Sequence, residues 1–208
     1  ESQNTQKYSK LFNFIIGILP QIMQIALSLS ALLLYTLFLF CRPSTANKKA
    51  LFSVFFCATA LHCASILSSV YQPIWNWNIG NVLSSVCLFS FILGIIGNYF
   101  LRITQHDRYL SLIAMLGIVF NLSFLAPHIL ANPDHPLLKI HLLIALLAYA
   151  CFAIATLFAG LITSQERHLH HSPLPMNETR PALLTLEKWL FRLISYGLIL
   201  LSITILSG

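Results

Sequence analysis

The chain has 208 residues, 57% of them hydrophobic and 9% charged, against about 25% charged in a soluble domain, so a soluble globular protein is excluded. Its net charge of +6 comes from basic residues lying mainly between long apolar runs, where they set membrane topology instead of contacting nucleic acid. The runs lack the two-residue alternation of barrel strands, which leaves an all-α, polytopic transmembrane helical bundle.

Residues 1–18 form a polar and interfacial N-terminal segment. Residues 1–10, with Lys7 and Lys10, are expected to lack regular order, and the apolar residues 11–18 to extend the first helix or lie at the interface. Six spans are expected in a single transmembrane domain over 19–208, at about 19–40, 49–70, 79–101, 109–130, 137–163 and 189–208. Each is near the 20 residues that cross the hydrocarbon core. Pro20 suits the start of the first span, where a missing N–H costs little. Gly94 and Gly97 are packing points in the third. The fifth span opens on Lys139 and His141 and carries Ala145, Ala148, Ala155 and Ala159, small residues that let helices approach closely. Residues 164–180 read as a connecting loop, and 183–188 as an amphipathic lead-in to the sixth span.

The loops after spans one, three and five hold Arg42, Lys48, Lys49, Arg102, Arg108, Arg167, Arg180 and Lys188, whereas those after spans two and four hold only Lys139. The positive-inside rule puts the first set in the cytoplasm, and the N-terminus and Gly208 on the outer, periplasmic side. With Glu1 in place of a Met and Gly208 at the edge of an apolar run, the chain reads as a fragment of a longer bundle, with partner residues expected beyond position 208. Cys41, Cys57, Cys63, Cys87 and Cys151 form no CxxC and read as small buried hydrophobes.

His62 stands thirteen residues past Lys49, about 20 Å along a helix and so inside the membrane. Ionisable groups at that depth are costly and face the bundle interior. Ala58, Ser65 and Ser69 share its face, a small, weakly polar stripe. Two readings stand: a neutral imidazole bonded to a carbonyl or hydroxyl of the next helix, or an iron ligand. His141, at the mouth of the fifth span, is either an interfacial residue or a ligand held at the membrane edge. His128 and His135 also fall on the outer side and read as structural. His106 and the His168, His170, His171 run are cytoplasmic, the latter in a solvated loop. Trp75 and Trp77 read as interface anchors able to stack on a porphyrin. There is no GxSxG, HExxH or P-loop, and the six acids lie outside mid-membrane. No catalytic residue is assigned, and a carboxylate-driven proton carrier is disfavoured.

The order of these features resembles the cytochrome c assembly family, the CcsA/ResC/CcmC haem-handling membrane proteins. It is most similar to the short YpjD and HemX-like inner-membrane branch. The resemblance covers residues 19–208. Its carriers are LHCAS around His62, IGNVLSSVCLFSFILG, the His-led HLLIALLAYACFAIATLFAGL, and the block from 186 to 208. It implies a multi-pass protein of the bacterial inner membrane that binds non-covalent b-type haem and delivers it for cytochrome c biogenesis, alongside other assembly proteins. His62 matches the family's intramembrane histidine. His141 matches the external histidine before a Ser/Ala-Tyr-Ala step, here Ala148-Tyr149-Ala150. Both become candidate axial ligands of haem iron, with Trp75 and Trp77 as optional stacking partners. The Trp-rich external loop of the synthases does not precede position 208, so the attachment step is not implied. The rival reading is a non-catalytic scaffold or regulator of haem supply with packing histidines. A small-molecule transporter ranks last.

Overall fold

The computed structural model describes residues 2–40, 48–70, 77–101, 107–124, 136–171 and 183–207. Among them are six helices and no strand: α1 (Ser2–Phe40), α2 (Lys48–Val70), α3 (Ile79–Leu101), α4 (Asp107–Ser123), α5 (Pro136–His171) and α6 (Leu183–Ser207). All but α4 include segments long and apolar enough to cross a membrane. The described part of α4 has 17 residues, about 26 Å of helix, short of a 30 Å core. The expected end of the fourth span, beyond residue 124, lies outside the described residues. Large apolar side chains on the outer faces, such as Leu19, Phe40, Phe56, Ile96 and Leu206, are exposed. A multi-pass membrane protein presents such side chains to lipid.

Helix ends depart from expectation in three places, each for a local reason. The backbone of the polar N-terminal segment is helical from Ser2, so Pro20 stands inside α1 and not at its first turn. It removes one main-chain donor, a loss that membrane helices tolerate. α5 runs through the expected loop to His171, because residues 164–171 contain no Gly or Pro and the first breaker is Pro173, which disfavours helix at the residue before it. The lead-in at 183–188 is the start of α6 itself. Two starts show their caps. Pro136 takes the first position of α5, where its missing N–H costs nothing. Asn78 caps α3, its Oδ1 accepting the Asn81 N–H at 2.7 Å.

The chain forms two compact units. The first comprises Glu1–Ser84 and Ile118–Ala131, and so α1, α2, the start of α3 and the end of α4. Here α1 and α2 pack antiparallel, Phe38 meeting Phe55 with ring centres 5.3 Å apart at one end and Ser28 meeting Ser65 at the other. The second comprises Ser85–Gly117 and Asn132–Gly208. In it α6 lies antiparallel on α5. Its buried Leu186, Leu193, Gly197 and Thr204 fall on one helical face. α3 and α5 run parallel, Ser90 reaching the Ala150 carbonyl and Gly97 facing Phe158.

Of the two glycines picked out in the third span, Gly94 is the close-approach point: a Cβ there would run into the Leu110 side chain and the Ile154 Cδ1. Gly97 is not, since a Cβ would sit 3.6 Å from the Phe158 ring, an ordinary contact. Gly97→Ala is expected to leave stability unchanged or raise it by up to about 1 kcal/mol, through better helix propensity. Gly94→Ala is expected to lower it. Thermal melts of the two variants in detergent test this contrast. The cysteines split in the same way. Cys151 is buried and Cys87 half-buried, as small hydrophobes should be, but Cys57 and Cys63 are exposed on α2, where a bilayer and not the core receives them.

Candidate functional site

The α2 stripe lies fully inside the first unit: Ala58, His62, Ser65 and Ser69 are each at most 1% exposed. His62 Nε2 lies 2.9 Å from Ser84 Oγ on α3. The Tyr35 ring of α1 meets the imidazole edge-on, centres 6.2 Å apart. Nδ1 is buried with no hydrogen-bond partner among the described residues. This is the geometry of an imidazole bonded to a hydroxyl of the next helix. As a ligand it has one open nitrogen, Nδ1, and no exposed surface. Iron could reach this nitrogen only if the helices around it parted.

One turn further along α2, four helices are joined by amides and hydroxyls. Asn121 of α4 is the hub. Its Oδ1 accepts from Gln24 Nε2 at 2.8 Å and from Ser28 Oγ at 3.4 Å, and its Nδ2 donates to Asn81 Oδ1 at 2.8 Å. Asn81 Nδ2 donates in turn to Ser69 Oγ at 2.7 Å. Ser28 and Ser65 share a hydrogen at 2.6 Å. Side-chain hydrogen bonds across helices hold membrane bundles together where lipid offers no polar partner. The arrangement is a satisfied structural network, and it sets the position of α2 and therefore of His62.

His141 belongs to the second unit and has a different setting. It is half-buried in the second turn of α5, with Nδ1 3.0 Å from Ser207 Oγ near the end of α6. Nε2 makes no hydrogen bond among the described residues. A neutral imidazole with one nitrogen held by a hydroxyl and the other open is the donor that an axial iron ligand requires. Among the described residues no group of three or more His, Cys, Asp or Glu gathers. A bare ion needs such a set, whereas iron in a macrocycle brings four nitrogens of its own and asks the protein for one or two. The donor chemistry at His141 thus fits haem. Further along α5, Ala148 and Ala150 are buried and Tyr149 is 54% exposed, so the alanines pack while the tyrosine faces outward.

Trp77 is half-buried just before α3, in the first unit. Trp75, His106, His128 and His135 lie outside the described residues. His168, His170 and His171 are on the last turn of α5, not in a loop. Sequence reading missed Ser84, Ser207, Gln24 and Asn81. The available signal was a polar residue inside an apolar run. Serines are common in such runs, and spacing within one helix cannot say which residue of another it meets.

A protein-family model described as Cytochrome C assembly protein matches residues 19–208. No curated protein and no solved structure matches the chain.

Proposed function

The chain belongs to the cytochrome c assembly protein family, which ties it to cytochrome c biogenesis, and we propose that it is a haem-binding member that handles and delivers haem. The observation carrying this reading is His141, with its Nδ1 engaged by Ser207 and its Nε2 open at a half-buried position. His141 would hold the iron by Nε2. The haem would be b-type and non-covalent, since no CxxCH attachment sequence is present. Trp75 and Trp77 would be stacking partners. The excess of Lys and Arg in alternate loops supports a bacterial inner membrane with His141 on the outer side, where other cytochrome c assembly proteins would receive the haem. His62 would serve a second, inner position through rearrangement of the α2–α3 contact.

A second reading is a scaffold or regulator of haem supply without stable haem. It is favoured by His62, whose Nε2 is taken up by Ser84. Oxidised and reduced absorbance spectra of the detergent-purified full-length protein, with and without His141→Ala, separate the readings. The expected result is a Soret band at about one haem per chain that is lost or shifted in the variant. A band indifferent to His141 moves the site to His62. No band from haem-supplied cells leaves the scaffold.

A further inference from the structure

We infer that Ser207 is a positioning residue that dictates which ring nitrogen of His141 is open to iron. The inference rests on the reading of His141 as the haem ligand. The Ser207 hydroxyl has a single hydrogen. Its Oγ lies 3.0 Å from the Thr204 carbonyl oxygen, one turn back on α6, and 3.0 Å from His141 Nδ1. A carbonyl oxygen can only accept, so for both contacts to be hydrogen bonds at once the hydroxyl hydrogen goes to Thr204. Ser207 Oγ then meets the ring as an acceptor, and Nδ1 must carry the imidazole proton. In a neutral imidazole the lone pair is then on Nε2, the nitrogen without a partner among the described residues. Hydrogen bonds behind a metal-ligating histidine set its tautomer, ring orientation and basicity.

The packing below Ser207 explains why it can do this. Gly197 lies against α5, where a Cβ would stand 3.0 Å from the Phe152 ring and 3.3 Å from Cys151 Cβ. That close approach, together with buried Thr204, settles the register of α6 on α5 and brings Ser207 opposite His141. The contrast with His62 is chemical. Ser84 makes no second hydrogen bond among the described residues, so its hydroxyl and the His62 ring can exchange donor and acceptor roles. Of these two pairs, the one at His141 has the fixed direction.

The test uses the full-length protein in detergent, labelled with 15N-histidine, with His141 resonances assigned by difference from His141→Ala. In haem-free wild-type protein, Nδ1 is expected to be the protonated nitrogen. In Ser207→Ala the population is expected to shift toward the Nε2–H tautomer. Haemin titration is expected to show about 10-fold weaker binding in that variant, the low end of the outer-shell range because water can reach the site. Ser207→Thr, which keeps the hydroxyl, should restore both readouts and rules out a general effect on folding. Unchanged haemin affinity in Ser207→Ala, with His141→Ala still abolishing binding, overturns the positioning role alone. Undiminished binding in His141→Ala overturns the ligand reading, and the positioning role with it.

Discussion

Asn121→Leu is expected to lower the melting temperature of the detergent-solubilised protein by about 6–12 °C, following a loss of about 3 kcal/mol. The substitution keeps the branched shape and removes every polar atom. It leaves the Gln24 amide without its 2.8 Å acceptor and Asn81 Oδ1 without its 2.8 Å donor, and also takes the weaker contact to Ser28. Each buried group so abandoned costs about 1–3 kcal/mol. The total sits in the lower half of the sum because a chain unfolded within the membrane still finds polar partners. The double variant Gln24→Leu Asn121→Leu should be less destabilised than the two single losses added together, since one of the orphaned groups is then gone. Strict additivity, or a melting change below about 2 °C for Asn121→Leu, would count against the network as the clasp of the first unit.

Gly80→Val is expected to destabilise the protein by a comparable amount, about 3 kcal/mol, at the upper end of overpacking costs. A Cβ on residue 80 would stand 2.7 Å from the Phe120 carbonyl oxygen and 3.1 Å from that of Phe124. Both atoms are backbone, so no rotamer change makes room, and the start of α3 must move off α4. That movement pulls on the adjacent Asn81–Asn121 bond. The two variants should therefore be strongly non-additive: once Gly80→Val has parted the helices, Asn121→Leu has less left to remove. Melts of the two single variants and the double variant measure the coupling. A silent Gly80→Val would mean that α3 and α4 do not approach closely at this point.

Much of the site was visible as residues and little of it as geometry. His62 announced itself as an ionisable group in an apolar run, and its burial follows from the cost of exposing it to lipid. Its bond to Ser84 did not, because the NVLSSV segment offers two adjacent serines and only the rotation of α3 selects between them. His141 stood out through its place at the mouth of a long apolar helix. Its partner, Ser207, lies 66 positions away on another element, and no local pattern links the two. Gly94 and Gly97 looked equivalent on paper. They differ because Leu110 and Ile154 press on the first and only the edge of the Phe158 ring approaches the second.

The sequence alone determined the membrane class, the helical content and, within a few residues, the second and third helices. Those properties depend on hydropathy and on breakers along a single stretch of chain, and a bilayer leaves helices as the natural solution for apolar runs of this length. It also determined the family, through the matched residues 19–208. Tertiary structure alone decided that Asn121 joins four helices. It alone engaged one histidine with Ser84 inside a closed core and left the other with an open nitrogen beside Ser207. The reason is the short range of a hydrogen bond. Donor and acceptor must come within about 3 Å, and helix rotation and register, which set that distance, are properties of packed pairs and not of either sequence segment.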